Sequence, residues 1–164
     1  MITSFNPATG QTLATFASHD DTHIETTLAQ ANHAQKQWAA LSLAERLPYL
    51  MAVAKTLRRN KEALARLITL EMGKPLGEAI GEVEKCAWNF EYYAESAPQF
   101  LDDLIIPSGA TDSRVVYDPL GLILAVMPWN YPFWQVMRAA APVLVSGNGM
   151  VLKHASNVPQ CALA

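Results

Sequence analysis

Apolar residues recur at helical spacing through residues 1–98, after one short segment that is extended instead. Turn chemistry over residues 6–10 separates Phe5 from the extended-looking residues 12–16, which predicts a short hairpin. Four amphipathic helices are expected next, because apolar residues return every three or four positions. Their inward faces comprise Ile24, Leu28, Ala31 and Trp38; Leu47, Leu50, Ala54 and Leu57; Leu64, Leu67, Ile68 and Glu71; and Leu76, Ile80, Val83, Ala87, Phe90, Ala94 and Ala97.

The expected helix ends carry recognisable start and stop signals. Ser42 and Glu45 fit a capping box, in which each side chain satisfies a backbone N–H of the other residue. Gly73 is placed to end the third helix in the left-handed conformation. The other expected boundary residues are Asp20 or Asp21 and Asn60 as N-terminal caps, and Pro98 near the end of the fourth helix.

Residues 99–164 replace helical spacing with short apolar runs. The continuous run Leu122–Met127 is typical of a strand buried on both faces, and a helix over 133–146 and a second buried strand over 150–153 follow. Strand, helix and strand form a βαβ unit, whose crossover should be right-handed, so the fold class is α/β. The remaining expected elements are strands near 105–107 and 114–117 around a loop, and the start of a further helix near Pro159.

Charge and composition narrow the class of protein. The formal charge of −3 and the pI near 5.8 give no electrostatic reason to expect nucleic acid or an anionic membrane surface as a partner. Two cysteines are too few for a disulfide framework, and the N-terminus lacks the pattern of a signal peptide. The most apolar stretch is too short to span a bilayer. We therefore expect a cytoplasmic protein.

The strongest candidate for chemistry is the segment Met127–Pro132, which reads Met-Pro-Trp-Asn-Tyr-Pro after the first apolar strand. Ligands of open α/β sheets bind outside the carboxyl ends of the strands. Asn130, held there between two prolines, would offer a neutral amide donor to an oxyanion that develops during attack on a carbonyl. Without further information, a simple turn asparagine is the competing interpretation.

Other residues are poorer candidates. The Gly147-Asn148-Gly149 sequence precedes a strand and lacks the third glycine of a dinucleotide fingerprint. The histidines at 19, 23 and 33 have no cysteine or glutamate to complete a ligand set, so we expect no metal site. We interpret Cys86 as a packing residue of the long helix.

Several motifs together resemble the aldehyde dehydrogenase superfamily. They are Asn6-Pro7-Ala8-Thr9-Gly10, Glu71-Met72-Gly73-Lys74-Pro75, Pro119-Leu120-Gly121, Pro128-Trp129-Asn130 and the lysine at 153. The resemblance covers all 164 residues, which would be roughly the first third of a family member. The fuller strings 130–136 and 152–159 resemble in particular the bacterial members that oxidise succinate semialdehyde.

The resemblance implies a division of the chain and an incomplete fold. Residues 1–98 would be a mainly helical lead-in, residues 99–118 an oligomerisation-arm hairpin, and residues 119–164 the first, truncated βαβ unit of a Rossmann-like cofactor-binding domain. A parallel sheet of two strands leaves apolar faces and edges exposed, which also favours a fragment. Family members are expected to be homo-oligomers.

The resemblance also implies roles for individual residues in cofactor binding and catalysis. Asn130 would donate its side-chain amide to the thiohemiacetal oxyanion, and Trp129 would contribute backbone contacts to NADP or NAD. Lys153 would hydrogen-bond the adenosine ribose or its 2′-phosphate, assisted by the adjacent segment His154-Ala155-Ser156. A solvated lysine at a strand end is the alternative for Lys153.

Two further positions bear on specificity. Ser156 stands where many NAD-preferring members carry a glutamate, so the like-charge penalty against a 2′-phosphate is absent and NADP should be accepted. The alternative for Ser156 is a helix N-cap. Arg138 is eight residues after Asn130, where semialdehyde-type members hold the distal carboxylate of the substrate; a structural ion pair is the alternative.

The family mechanism further needs a cysteine nucleophile and a glutamate base, which we expect beyond these residues. Cys161 follows the cofactor-lysine segment, whereas the family nucleophile comes much later in the chain. We therefore expect the isolated chain to be inactive. The alternative functions are a non-catalytic module that binds cofactor or pairs with a full-length partner, and a helical interaction module built on the residue 76–97 seam.

Overall fold

A computed structural model describes residues 1–164 and has the expected α/β class. Three two-stranded sheets and six helices follow one another along the chain. The elements are β1 (Ile2–Phe5), β2 (Thr12–Phe16), α1 (Asp21–Ala40), α2 (Leu43–Arg59), α3 (Lys61–Met72), α4 (Leu76–Phe100), β3 (Leu104–Ile105), β4 (Arg114–Val115), β5 (Leu122–Val126), α5 (Trp134–Val145), β6 (Gly149–Lys153) and α6 (Pro159–Leu163).

The N-terminal hairpin is confirmed, with β1 and β2 pairing antiparallel. Asn6 begins the turn: its side-chain oxygen accepts from the Ala8 N–H at 2.9 Å. Gly10 adopts a φ of 71°, a left-handed conformation that glycine reaches without a Cβ clash. The hairpin is anchored to the helices through Ser4, whose side chain is fully buried.

Most of the expected helix ends are confirmed by their hydrogen bonds. Asp20 accepts from the His23 N–H at 2.8 Å, and Ser42 and Glu45 form the capping box. Gly73 ends α3 with a φ of 75°. Asn60 is the N-cap residue of α3 as expected, but its side chain makes no capping hydrogen bond. The reason is that it alone joins α2 to α3, and its ψ of 7° is not the extended conformation that side-chain capping requires.

The core is built around α4, against which α2, α3 and α5 pack. The α4 seam is buried as its spacing predicted, apart from its partly exposed first residues. The helix ends at Phe100, two residues after Pro98, so the expected end near Pro98 is confirmed. The buried apolar cluster comprises Leu50, Ala54, Leu57, Ala65, Ile68, Ala79, Val83, Cys86, Ala87, Phe90, Ala94, Ala97, Phe133, Ala140, Ala141, Val145, Val158 and Cys161.

The βαβ unit is confirmed, with β5 and β6 parallel and α5 between them in sequence. The expectation that both strands are buried on both faces is wrong: Leu124 is 66% exposed and Val126 is 64% exposed. The helix α1 covers the start of this face, where Gln35 lies against Gly149. No other element of residues 1–164 covers the rest, so only the face that contains Ala125 is well buried.

The arm hairpin is shorter than expected, because β3 and β4 contribute only two residues each. Leu104 pairs with Val115 and Ile105 with Arg114, and these side chains are exposed. None of the six helices combines the length and apolar character needed to cross a membrane.

Candidate active site

The Asn130 loop, defined as residues 127–133, joins the carboxyl end of β5 to α5 and is fixed through its backbone. The Asn130 carbonyl accepts from Lys74 Nζ at 3.2 Å. The N–H groups of Phe133 and Trp134 both donate to Glu82 Oε1 at 3.0 Å. The Asn130 side chain is exposed, and its amide makes no hydrogen bond within the chain. The loop therefore presents a free amide donor on an anchored backbone.

The two anchors of this loop form a buried ion pair. The Lys74 ammonium bonds the Glu82 carboxylate, and the two side chains are 7% and 0% exposed. Lys74 Nζ also lies 3.6 Å from the centre of the Tyr131 ring, a cation–π distance. A buried charge pair is tolerated when its remaining hydrogen-bonding groups are satisfied, and here the loop backbone satisfies them.

The carboxyl end of β6 lies beside the Asn130 loop. Lys153 pairs in register with Val126, the last residue of β5. One step further, the Met127 N–H donates to the Lys153 carbonyl at 3.1 Å. The structure thus places the oxyanion candidate and the cofactor-lysine candidate at one edge of the sheet, where α/β proteins bind ligands.

A cavity of about 550 Å³ opens beside Lys153, on the sheet face that α1 covers only in part. Leu122, Leu124 and Val151 form its apolar floor, and Lys153, His154 and Ser156 lie along the rim. No carboxylate lines it. An apolar floor with a cation and a hydroxyl at the rim fits the adenosine part of a phosphorylated dinucleotide, and the volume is in the range of small-molecule sites.

The first turn of α6 is held by Glu71, which is 3% exposed. Its carboxylate accepts from Ser4 Oγ at 2.6 Å, from the Gln160 N–H at 2.9 Å and from the Cys161 N–H at 2.8 Å. Three separate parts of the chain therefore meet at one carboxylate. This network fixes the start of α6, only a few residues after Ser156.

Ser156 does not act as the helix cap that was its alternative interpretation. The N-cap of α6 is Val158, and no side-chain cap bond is made there. Ser156 is exposed and lines the cavity, which leaves its hydroxyl free for a ligand. His154 is half-buried, and its Nδ1 lies 2.9 Å from the carbonyl of Ala155.

Trp129 and Arg138 are both exposed, and neither lines this cavity. Trp129 is the residue before Asn130 and is 51% exposed. Arg138 lies on α5 and takes part in none of the ion pairs of the chain, so the structural ion-pair alternative finds no partner.

Neither cysteine has the environment of a nucleophile. Both are buried free thiols. Desolvation, with a contribution from Glu82, raises the pKa of Cys86 to about 12. Desolvation and the nearby Glu71 carboxylate raise the pKa of Cys161 as well. The reactive thiolate is therefore disfavoured at both positions.

Sequence reasoning missed the parts played by Lys74, Glu82 and Glu71. One signal was available for Glu71, because it falls on the otherwise apolar face of the third helix. Glu82 directly precedes Val83 on the α4 seam and is equally close to the core. A carboxylate at such a position needs hydrogen-bond donors, which indicates a buried polar network.

The chain is similar to several aldehyde dehydrogenases along almost its whole length. A protein of Synechocystis sp. named "Probable succinate-semialdehyde dehydrogenase [NADP(+)]" is 48% identical over 163 residues, which is 99% of this chain and 36% of the relative. Succinic semialdehyde dehydrogenase from Streptococcus pyogenes, solved in complex with NADP+, superposes with a TM-score of 0.94 at 38% identity, over 99% of this chain and 36% of that one. Betaine aldehyde dehydrogenase from Staphylococcus aureus, solved with NAD+, superposes with a TM-score of 0.91 at 27% identity. The match covers 98% of this chain and 33% of that chain.

The βαβ unit places a free amide and a lysine at one carboxyl edge of a parallel sheet, where α/β proteins bind ligands. The model of the aldehyde dehydrogenase family matches residues 1–164. The chain belongs to the aldehyde dehydrogenase family, and it spans about a third of the length of the relatives it matches.

Proposed function

We propose that the protein containing these residues oxidises an aldehyde to the carboxylic acid with NADP, that it also accepts NAD, and that succinate semialdehyde is its substrate. The observation that carries the proposal is the meeting of the Asn130 loop and the Lys153 strand end at one sheet edge. The names of the Synechocystis and Streptococcus relatives support both the substrate and the cofactor.

Asn130 acts by donating its side-chain amide to the oxygen of the aldehyde as that oxygen gains negative charge. Its side chain is exposed and has no competing bond, so no internal bond must break first. A donor whose backbone is already fixed needs little reorganisation when the charge develops. Removing one such donor typically lowers kcat by roughly 100- to 1,000-fold.

Lys153 and Ser156 act on the adenosine end of the cofactor. The Lys153 ammonium is a point charge suited to a ribose hydroxyl or a 2′-phosphate, and the Ser156 hydroxyl donates without adding negative charge. The bound cofactor supplies the hydride acceptor. The lack of any carboxylate in the cavity lining is the reason to expect that a 2′-phosphate is accepted.

Arg138 binds the distal carboxylate of the substrate in this proposal. Its guanidinium is exposed and unpaired within the chain, and a carboxylate is its natural planar partner. Residues 1–164 thus supply an oxyanion donor, cofactor contacts and a substrate anchor. The two cysteines present are protonated and buried, so the nucleophile is expected from another part of the protein.

The test is NADPH formation by the polypeptide that the native gene produces, with succinate semialdehyde and with butanal as the uncharged analogue. We expect Asn130→Ala to lower kcat for both aldehydes by roughly 100-fold or more. We expect Arg138→Ala to raise KM for succinate semialdehyde at least tenfold and to leave KM for butanal unchanged. A wild-type polypeptide that reduces neither cofactor with either aldehyde would contradict the proposal.

A non-catalytic module that pairs with a full-length partner remains the second proposal. Its support is the exposed apolar surface of the arm, including Ile105, Val116 and Tyr117. The same polypeptide distinguishes the two proposals, because a pairing module would bind a full-length dehydrogenase and show no turnover of its own.

A further inference from the structure

We propose that Lys74 and Glu82 are positioning residues for Asn130: they hold the Asn130 loop so that its side-chain amide reaches the developing oxyanion. This inference rests on the proposed function, because it assigns a purpose to the loop only if Asn130 stabilises that charge.

The first observation is that nothing holds the Asn130 side chain itself. Its amide has no hydrogen-bond partner within the chain and is exposed. The direction of the amide therefore depends on the backbone from which it projects. A catalytic donor must be held close to its productive geometry, so the backbone anchors become part of the site.

The second observation is that the backbone is held at both ends of the same short stretch. Lys74 Nζ donates to the Asn130 carbonyl at 3.2 Å and lies over the ring of Tyr131. Glu82 Oε1 accepts from the N–H groups of Phe133 and Trp134 at 3.0 Å each. The stretch from 130 to 134 is thus clamped by two opposite charges that bond each other.

The third observation is where these charges are rooted. Glu82 lies on α4, the helix at the centre of the core, and Lys74 lies directly between α3 and α4. The side chains of both are almost completely removed from solvent. A buried ion pair is weak evidence for stability, since apolar residues of similar size often replace one without loss. Its hydrogen bonds to the loop indicate a positioning role instead.

The test is a double-mutant cycle in the polypeptide from the native gene, with succinate semialdehyde and NADP. Lys74→Met is made in the wild type and in the Asn130→Ala variant. If the unpaired buried carboxylate of Glu82 prevents folding, the double change Lys74→Met with Glu82→Gln replaces Lys74→Met in both backgrounds. We expect either change to lower kcat at least tenfold in the wild type. In the Asn130→Ala background we expect less than a twofold further loss, because residues that act through one group are not additive.

Lys61→Met is the matched control. Lys61 also bonds a glutamate of α4, Glu84 at 2.7 Å, but this pair is partly exposed and touches no part of the Asn130 loop. We expect its kcat to stay within twofold of the wild type. KM for NADP should also be unchanged in the Lys61→Met variant, because the Lys61–Glu84 pair is remote from both the Asn130 loop and Lys153.

Two results would overturn the inference. One is an unchanged kcat in the folded double variant, and the other is an equal loss of kcat with and without the Asn130 amide. If the wild type forms no NADPH, the proposed function fails, and amide hydrogen exchange at Phe133 and Trp134 then decides the anchoring. Faster exchange in the double variant would show that Lys74 and Glu82 anchor the loop. Unchanged exchange would show that they do not.

Discussion

Replacing Glu71 by alanine should loosen the cofactor side of the site from a distance. The carboxylate receives three hydrogen bonds, from Ser4 Oγ and from the N–H groups of Gln160 and Cys161. Ser4 and Cys161 are both buried, so alanine leaves two donors with neither a partner nor water. At roughly 1.5–3 kcal/mol for each bond to a charged group, we expect a loss of about 4 kcal/mol in the free energy of unfolding.

Glutamine at the same position separates charge from shape. Glu71 Oε1 accepts two bonds and Oε2 accepts one, so a glutamine that keeps the first two must turn its NH₂ group towards the Cys161 N–H. The Cys161 N–H then faces the NH₂ group of the glutamine, so two donors meet where one hydrogen bond was. We expect a loss of about 2 kcal/mol in the free energy of unfolding. Glu62→Ala, at an exposed residue of the same helix, is the control and should stay within about 0.5 kcal/mol.

The assays are urea unfolding and amide hydrogen exchange of the folded protein, with exchange followed in the segment 154–164. We expect exchange at Gln160 and Cys161 to accelerate in the order wild type, glutamine, alanine. KM for NADP should rise in the same order, because the segment that carries Ser156 ends at this anchor. Unchanged exchange in the alanine variant, together with a loss below about 1 kcal/mol, would show that Glu71 does not anchor the start of α6.

Three further predictions follow from burial and composition. The pKa of Cys86 is raised to about 12, so its thiol ionises at a lower pH in the unfolded chain than in the folded chain, and stability should fall from about pH 9 towards pH 12. Alkylation of Cys86 at pH 8 should be slow until the chain unfolds, and rapid alkylation of the folded chain would contradict this. In the 164-residue chain, Leu124→Lys should lower the free energy of unfolding in urea by less than about 1 kcal/mol and Ala125→Lys by more than about 3 kcal/mol, because only Ala125 is buried. Equal losses would show that the face containing Leu124 is covered. The isolated 164-residue chain should form no NADPH from succinate semialdehyde, measured at 340 nm, and steady turnover would show that a nucleophile is present within it.

Local patterns were enough to predict most of the elements. Helix caps, seams and turn glycines depend on residues three or four positions apart, so Ser42, Gly73 and the α4 seam could be read directly from the sequence. The apolar run of β5 predicts a strand correctly, but not its burial. Covering both faces depends on which elements pack there, and within residues 1–164 only α1 covers part of the second face.

Only part of the candidate site could be predicted, namely the residues whose own type and place in a motif indicate a role. The position of Asn130 after a buried strand indicates a ligand-binding loop, whereas Lys153 and Ser156 were implied only by the family resemblance. Lys153, the last residue of β6, and Ser156 line one cavity, and Lys153 lies beside the Asn130 loop. Glu82 and Glu71 were missed because their partners are remote in sequence: Glu82 is 51 residues from Phe133, and Glu71 is 89 residues from Gln160. Periodicity shows that such a carboxylate faces inwards, but it does not show which backbone donors it meets.

Cofactor discrimination tests whether this sheet edge accepts a phosphorylated dinucleotide beside Asn130. The measurement is kcat/KM for NADP and for NAD in the polypeptide from the native gene and in its Ser156→Glu variant. We predict that the variant loses roughly tenfold or more with NADP and little with NAD, because a carboxylate at the cavity rim repels the 2′-phosphate. Equal values for the two proteins with both cofactors would mean that the cavity beside Lys153 does not hold the adenosine phosphate.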